Sequence, residues 1–250
     1  MTGPHVLVII PARYGSTRLP GKPLADIGGK SMIRRVYEQA RKSPVVCRVA
    51  VATDDERVVR EVESFGGEAV LTPPGIPTGT DRVALAARSL PEAEFVVNVQ
   101  GDEPLLEPAM IGEAVSALEA APEASCSTLV RPLTDGSDLE NPSVVKVALD
   151  AQGNAIYFSR APIPFRRDTP RSRWTEGHIY WRHVGLYAFR REFLLLYPSL
   201  PRGVLEQAEE LEQLRMIEHG HRVRSAETRF DCMPVDTPED LERIRKRIRT

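Results

Sequence analysis

The chain has 250 residues, of which 42% are hydrophobic and 27% are charged. These proportions are ordinary for a folded globular protein and exclude a disordered or fibrous chain. A chain of this length buries roughly three quarters of its unfolded surface, so one large domain, or a domain with an intimate subdomain, is sufficient. The formal net charge of -2, with no basic tail, argues against nucleic acid as a partner.

The amino-terminal sequence and the cysteines indicate the compartment. The segment MTGPHVLVII has neither the charged region nor the cleavage site of a secretory leader, and no apolar stretch approaches the roughly 20 residues that cross a bilayer. Cys47, Cys126 and Cys232 match no metal-binding or redox spacing, so we expect reduced and mostly buried thiols. Together these features predict a cytoplasmic protein.

Strand-like and helix-like segments alternate over residues 1–110, which is the pattern of an α/β sheet with helices on its faces. The continuous apolar run from Val6 to Ile10 predicts a central strand buried on both faces. The helix from Asp55 to Phe65 should stop at Gly66-Gly67. The strands are predicted at 6–10, 45–52, 69–71 and 95–99, and the helices at 31–42, 55–65, 81–90 and 108–120.

The pattern changes after residue 125. Two strand-like segments flank the turn sequence DAQGN and predict a hairpin, whereas residues 160–178 are rich in Pro and Arg and predict an excursion or subdomain. Thr237 and Pro238 form a favourable helix start, with Thr237 as the N-cap. The strands are predicted at 126–131, 144–149, 155–158, 183–189 and 222–228, and the helices at 206–219 and after 238.

The segment IIPARYGSTRLPGK, residues 9–22, runs from the buried strand directly into a loop with glycines and basic side chains. Open α/β sheets bind ligands at the carboxyl ends of their strands, where glycines let backbone N–H groups approach a phosphate. Arg and Lys neutralise its charge, so a triphosphate is the expected ligand. The spacing is neither that of a P-loop nor that of a dinucleotide-binding loop. From composition alone, an ordinary polar loop remains an alternative.

Two carboxylates are candidate metal ligands. Asp102 ends the apolar strand in NVQGDEPLL, where an acidic side chain beside a phosphate loop suits Mg²⁺, which takes hard oxygen ligands. A turn residue is the alternative for Asp102. Asp236 precedes the last helix, and because Thr237 already explains the cap, Asp236 is available as a second ligand. A solvated loop carboxylate is the alternative for Asp236.

A series of sequence blocks resembles the 3-deoxy-manno-octulosonate cytidylyltransferase (CMP-Kdo synthetase) family, collinearly and over nearly the whole chain. The resemblance implies an α/β, Rossmann-like nucleotidyltransferase fold, a mixed central sheet with helices on both faces, a smaller sugar-binding and dimerisation subdomain, and a homodimer. The blocks are PARYGSTRLPGKPL, ATDDERV, GTDRV, NVQGDEPL, NPSVVKV, YFSRAPIPF, HVGLYAF, LEQLR and VDTPEDLERIR.

The resemblance also implies roles for individual residues. Asp102 and Asp236 correspond to Mg²⁺ ligands and, with Lys22 and Arg13, to the catalytic group. Arginine suits the carboxylate of a sugar acid because its planar fork binds both oxygens. The nucleotide contacts correspond to Ala12, Arg13, Ser16, Arg18, Lys22, Arg82 and Gln100, and the sugar-acid contacts to Arg160, His183, Tyr187, Glu212 and Gln213.

Locally, several of these residues also have an ordinary structural alternative. Arg82 and Gln100 could be a surface arginine at a helix start and a strand-end polar residue. Arg160 lies near a solvated arginine patch, a lone histidine such as His183 is usually structural, and two polar residues on a helix are usually exposed. Two features depart from the family: Pro234 stands where the family usually has glycine, which removes an N–H, and residues 166–182 follow no aligned block.

The reaction expected from the resemblance is transfer of CMP from CTP to Kdo, which gives CMP-Kdo and pyrophosphate for lipopolysaccharide biosynthesis. The protein would position the reactants and neutralise charge, with one Mg²⁺ on the triphosphate and a second, held by the two aspartates, lowering the pKa of the attacking hydroxyl.

We expect a single domain, with residues 1–125 mainly binding CTP, residues 126–235 forming the sugar-acid and dimer subdomain, and residues 236–250 forming a carboxyl-terminal helix. The alternative substrates are 8-amino-Kdo and a sialic acid, and a silent nucleotide-binding regulator or a nucleic-acid-binding protein is a weaker alternative.

Overall fold

A computed structural model describes residues 5–15, 19–91, 93–177 and 179–249. The chain divides into two compact units. The first unit comprises Met1–Gly112, Ala188–Pro198 and Phe230–Thr250, and the second comprises Glu113–Tyr187 and Ser199–Arg229. The roles predicted for the parts of the chain remain predictions.

The described residues form strands and helices that alternate through most of the sequence. The strands are β1 (Val6–Ala12), β2 (Val46–Thr53), β3 (Glu68–Leu71), β4 (Phe95–Asn98), β5 (Cys126–Pro132), β6 (Lys146–Leu149), β7 (Ala155–Ser159), β8 (Trp181–Arg190) and β9 (Val223–Glu227). The helices are α1 (Met32–Ala40), α2 (Glu56–Ser64), α3 (Gly79–Ser89), α4 (Ala109–Glu119), α5 (Gly136–Glu140), α6 (Arg191–Leu196), α7 (Val204–Glu209), α8 (Leu214–Glu218) and α9 (Pro238–Arg249).

The first unit contains a parallel sheet in the order β3-β2-β1-β4. Ile9 of β1 pairs with Ala50 of β2 on one side and with Asn98 of β4 on the other. Every residue of β1 except Pro11 is buried, which confirms the predicted central strand. Because parallel strands end at the same edge, the segments that follow β1, β2 and β4 lie together there.

Side-chain caps explain where the helices of this unit begin. The Ser31 hydroxyl accepts a hydrogen bond from a backbone N–H in the first turn of α1, and the Asp55 carboxylate does the same for α2. At α9, Thr237 Oγ1 accepts from Asp240 N at 3.2 Å while Asp240 Oδ2 accepts from Thr237 N at 3.0 Å. This reciprocal cap confirms the predicted helix start, and Gly66, with φ 75°, follows the end of α2 as expected.

In the second unit β5 runs parallel to β9, while β6 runs antiparallel to β7 and to β8. The predicted hairpin is therefore confirmed as β6 and β7. The Asp150 carboxylate closes its turn by accepting from the backbone N–H groups of Gln152 and Asn154, both to Oδ1, at 2.9 and 2.8 Å. Together the two units confirm a mixed α/β fold whose sheet is mostly parallel.

The helix predicted at 206–219 is wrong, because the segment forms two short helices, α7 and α8. Glu210 lies between them in the left-handed conformation with φ 51°, which no regular helix contains. The carbonyl oxygens of Glu209 and Glu210 accept hydrogen bonds from the Arg160 guanidinium instead of continuing a helix. A long-range contact therefore overrides the local preference for helix.

The three cysteines are free, as expected, but only Cys126 is buried. Cys47 is exposed and Cys232 is partly exposed, so the expectation of mostly buried thiols is wrong. Cys47 lies on β2 within an exposed stretch at the amino end of that strand. No helix in the described part of the chain is both long and apolar enough to cross a lipid bilayer.

Candidate functional site

Lys22, Asp102 and Asp236 come together in the first unit, although they are far apart in sequence. Lys22 Nζ lies 2.6 Å from Asp102 Oδ2 and 2.9 Å from Asp236 Oδ1. The Lys22 side chain is 14% exposed, whereas those of Asp102 and Asp236 are 27% and 40% exposed. The two carboxylates therefore share one ammonium group and remain accessible from solvent.

Three different elements position these side chains. Lys22 begins a short 3₁₀ turn after Gly21, Asp102 follows β4, and Asp236 precedes α9. The backbone joins the last two directly, because Val235 N donates to Asp102 O at 3.0 Å and the Val235 side chain is completely buried. Pro234 lacks an N–H but leaves this bond intact, since the donor is the following residue.

Gly101 allows the segment that follows β4 to approach the end of β1 closely at this edge of the sheet. A Cβ atom at position 101 would lie 2.8 Å from the carbonyl oxygen of Pro11, closer than real Cβ atoms come to a backbone atom. Glycine is therefore required immediately before Asp102. The close approach fixes the distance between the end of β1 and the Asp102 carboxylate.

The loop after β1 carries the predicted phosphate contacts. Ala12 is buried, Arg13 is exposed at the end of the strand, and Ser16 and Arg18 lie outside the described residues. The guanidinium of Arg57 lies 3.5 Å from the centre of the Tyr14 ring. This cation–π contact ties the start of the loop to helix α2.

Arg57 is itself held by Asp55, which belongs to the block ATDDERV. Arg57 Nη2 lies 2.7 Å from Asp55 Oδ2, and hydrogen bonding from this guanidinium lowers the pKa of Asp55 to about 2. The block thus contributes a support for the loop. From the sequence alone, no residue of this block is predicted to support the loop.

Arg82 and Gln100, the predicted nucleotide contacts, each lie in a polar network. The Arg82 guanidinium is buried, donates from Nη2 to Asp54 Oδ2 at 2.9 Å, and also contacts the Thr72 hydroxyl. Gln100 Nε2 donates to Asn98 Oδ1 at 3.4 Å. These networks hold both side chains in place at the ends of the strands of the sheet.

The donor set around Lys22 fits a hard divalent cation. Carboxylate oxygens are preferred ligands of Mg²⁺, which often uses one or two carboxylates together with substrate phosphates. Asp102 and Asp236 already share a cation, the Lys22 ammonium, so both oxygens point toward one position. Among the described residues, no group of three or more His, Cys, Asp and Glu side chains could hold a metal ion. A metal ion bound by the two aspartates would therefore need further ligands, such as substrate phosphates.

Arg160 lies in the second unit and is anchored mainly by backbone carbonyls. Its Nε donates to Glu209 O at 2.7 Å, Nη1 to Pro142 O at 3.0 Å and Nη2 to Glu210 O at 3.3 Å. These bonds take one N–H from each nitrogen, and a guanidinium has five. One further N–H on each Nη remains to bind a carboxylate.

Glu209 is a residue that sequence reasoning missed. Its carboxylate accepts from the Arg160 backbone N–H at 2.9 Å and from the Ser159 hydroxyl at 2.6 Å. Lys146 also holds the segment around Arg160. Its side chain is completely buried, and its ammonium group donates to the carbonyl oxygens of Asn141, Val144 and Arg160. A lone glutamate and a lone lysine give no local sequence signal that they hold the segment around Arg160.

His183 and Tyr187 lie close together on β8, with ring centres 5.4 Å apart. The His183 ring also packs edge-on against Phe158 at 5.0 Å, and its Nε2 lies 3.0 Å from Thr128 Oγ1. Desolvation, with a smaller contribution from the charge of Arg182, lowers the pKa of His183 to about 3. The imidazole is therefore neutral at physiological pH.

Gln213 is 4% exposed, and in the described part of the chain its carboxamide has no hydrogen-bond partner. Glu212, beside it, is partly buried and does have a partner. Helix α8, which follows Gln213, packs against β7. A nearly buried amide without a protein partner is a group that a bound ligand can satisfy.

The pKa of His183 makes stability depend on pH. The unfolded chain binds a proton near pH 6.5, whereas the folded protein binds it only near pH 3, so the contribution of His183 is present above pH 6.5 and is lost as the pH falls toward 3. We expect His183→Gln to reduce the loss of stability over this range, measured by urea unfolding at several pH values. His5→Gln, at an exposed position, is the control, and equal pH slopes for wild type and His183→Gln would contradict the prediction.

Comparisons with known proteins point to one family. The cytidylyltransferase family matches residues 7–226. A 3-deoxy-manno-octulosonate cytidylyltransferase from Anaeromyxobacter dehalogenans is 54% identical over 242 residues, covering 96% of each chain. The enzyme of the same name from Geobacter sulfurreducens is 46% identical over 254 residues, covering 98% of this chain and 100% of the relative.

Solved structures agree with the sequence comparisons. The structure of a CMP:2-keto-3-deoxy-manno-octonic acid synthetase in complex with CTP superposes with a TM-score of 0.90 at 41% identity and covers 98% of both chains. A 4-diphosphocytidyl-2C-methyl-D-erythritol synthase from Anaerococcus prevotii has a TM-score of 0.63 at 15% identity. The second likeness concerns the fold alone.

Proposed function

This chain belongs to the cytidylyltransferase family, and on that basis we propose that it transfers CMP from CTP to 3-deoxy-D-manno-octulosonate (Kdo). The anomeric hydroxyl of the sugar acid attacks the α-phosphorus, the bond to the β-phosphate breaks, and pyrophosphate leaves. The observation that carries the proposal is the pair of carboxylates that shares the Lys22 ammonium at the ligand-binding edge of the sheet. An alternative sugar acid is not favoured, since the relatives share the name of the Kdo enzyme.

The first unit would bind CTP. Arg13, Ser16, Arg18 and Lys22 would neutralise the phosphates, and Arg82 and Gln100 would contact the nucleoside. The exposed position of Arg13 beside the support formed by Arg57 and Tyr14 agrees with this role. Rigid positioning by these contacts would hold the α-phosphorus ready for attack.

The second unit would bind the sugar acid. The two remaining N–H groups of Arg160 suit its carboxylate, and the Gln213 carboxamide suits its hydroxyl groups. His183, Tyr187 and Glu212 would complete the contacts. Neutral His183 would serve as a hydrogen-bonding group and not as a counter-charge.

The reaction would use a divalent metal ion, which we propose is Mg²⁺, held by Asp102 and Asp236. When bound, the ion would neutralise developing negative charge and lower the pKa of the attacking hydroxyl. Lys22 offsets the charge of the two carboxylates before substrates arrive. Its ammonium would then turn to the CTP phosphates, where charge accumulates as pyrophosphate departs.

We also propose that the protein is a cytoplasmic homodimer. Free cysteines and the use of CTP agree with the cytoplasm. Large exposed apolar side chains on the second unit, namely Ile156, Phe165 and Val204 at 55%, 75% and 77% exposure, would be covered in a dimer. Light scattering of the purified protein measures the mass directly.

The function is tested by pyrophosphate release from CTP, Mg²⁺ and a panel of sugar acids. We expect Kdo to be the best acceptor and CTP to be strongly preferred over ATP and GTP, because Arg82 and Gln100, which their hydrogen-bond networks hold in place, would contact the cytosine nucleoside. The control reaction omits the sugar acid. Equal turnover with ATP and CTP, or a better acceptor than Kdo, would contradict the proposal.

Lys22→Ala should lower kcat/KM for CTP by at least about tenfold, because a charge-assisted hydrogen bond contributes roughly 1.5 to 3 kcal/mol. The measurement is the initial rate of pyrophosphate release at varied CTP. Lys30→Ala is a matched control, since Lys30 forms an ion pair with Glu38 on α1 at 2.6 Å and is 39% exposed. An unchanged kcat/KM for Lys22→Ala would limit this lysine to the role of counter-charge.

A further inference from the structure

Thr128 on β5 is completely buried and places its hydroxyl among three polar atoms. Thr128 Oγ1 lies 3.1 Å from the carbonyl oxygen of Val184, 2.9 Å from that of Leu186 and 3.0 Å from His183 Nε2. All four residues belong to the second unit. The threonine is not among the residues for which the sequence predicted a role.

The direction in which the Thr128 hydroxyl donates its hydrogen determines which ring nitrogen of His183 is protonated. A hydroxyl has one hydrogen to donate and two lone pairs, whereas a carbonyl oxygen can only accept. If the hydrogen pointed at Nε2, two carbonyl oxygens would face the hydroxyl oxygen with no hydrogen between them. Donation to one carbonyl oxygen leaves only one such contact instead of two, and a lone pair of Oγ1 then accepts from Nε2–H.

We infer that Thr128 is a positioning residue, which holds His183 in the Nε2–H tautomer so that Nδ1 presents a lone pair to a hydroxyl group of the sugar acid. In the described part of the chain Nδ1 has no hydrogen-bond partner, and the residue retains a solvent-accessible surface. The second half of the inference, the contact with the sugar acid, rests on the proposed function. The first half, the tautomer, stands on the contacts of Thr128 alone.

The experiment combines nitrogen NMR with kinetics. Protein labelled with ¹⁵N-histidine is compared with the His183→Gln variant, which identifies the signals of His183 among those of the five histidines. In the wild type we expect a protonated Nε2 and an unprotonated Nδ1. Thr128→Val keeps the shape and the β-branch but removes the hydroxyl, and it should shift the ring toward a mixture of tautomers.

The same variants give the kinetic result. Thr128→Val should raise the KM for Kdo by roughly five- to tenfold while the KM for CTP changes by less than about twofold. Thr128→Ser should restore both the tautomer and the KM. Ser127→Ala is the matched control, because Ser127 is an equally buried hydroxyl on β5 that donates to Ala114 O at 2.6 Å and not to His183.

Three results would overturn the inference. An Nδ1–H tautomer in the wild type would refute it without any variant, even if Thr128→Val failed to fold. An unchanged tautomer in folded Thr128→Val would remove the role of the threonine, and a changed tautomer with an unchanged KM for Kdo would remove the contact with the sugar acid. If wild type released no pyrophosphate with Kdo, the proposed function would fail, whereas the NMR result would still decide the tautomer.

Discussion

Asp236→Asn and Asp102→Asn are each expected to lower kcat by about 10²- to 10³-fold while CTP binding is retained. Asparagine keeps the shape of aspartate but removes the charge that a hard cation needs. The site would then hold the metal ion weakly, and the developing charge would no longer be neutralised. CTP binding should persist because the basic residues of the loop after β1 are unchanged.

The measurement pairs turnover at varied Mg²⁺ with CTP binding by calorimetry. Glu239→Gln is the matched control for Asp236→Asn, since Glu239 is an exposed carboxylate in the first turn of α9, three residues further on. The variant proteins should remain folded, as shown by circular dichroism. Normal turnover of Asp236→Asn at limiting Mg²⁺ would make this carboxylate a loop residue and would refute the metal site proposed for the two aspartates.

Arg215→Met is expected to destabilise the protein by about 3 to 5 kcal/mol, because it leaves a buried charge without its partner. Arg215 and Glu206 have side chains only 3% and 1% exposed and form two hydrogen bonds, each of 2.7 Å. Arg202 also contacts Glu206, at 3.0 Å, but is 50% exposed. Its charge is largely screened by solvent and replaces little of the lost interaction.

Urea unfolding measures this loss. The double variant Arg215→Met with Glu206→Leu should recover much of the stability, since removing both charges leaves neither one unpaired. Arg173→Met is the control, because its partner Glu176 is exposed and the pair lies in solvent. A destabilisation of Arg215→Met no larger than that of the control would show that Glu206 is compensated by other groups.

The parts of the fold that could be predicted are those that local patterns determine. The apolar run of β1, the turn of the β6–β7 hairpin and the Thr237 cap each depend on neighbouring residues, and all three are confirmed. The break at Glu210 was missed, because it depends on Arg160, about 50 residues away in sequence. The short helices α5 and α6 were also missed, since five or six residues give too little periodicity.

The residues of the candidate site likewise fall into those that a local sequence pattern reveals and those that it does not. Asp102 and Asp236 lie at a strand end and a helix start, positions that a sequence pattern reveals, and the structure brings them to one ammonium group. Thr128 and Glu209 act through side chains that the sequence cannot place, because their partners belong to other elements. The family relationship predicted from the sequence blocks is confirmed, whereas the roles of the individual residues remain predictions.

The close approach at Gly101 has a consequence for redesign of the enzyme. A library intended to change nucleotide choice can vary side chains at the ends of the strands, but every substitution at position 101 must first shift the backbone at Pro11 or the segment that follows β4. Such a change would carry the loop at Arg13 away from Asp102, so clones altered there should be lost from any selection for activity. Position 101 should therefore remain glycine in active variants, while the specificity changes through substitutions at neighbouring positions.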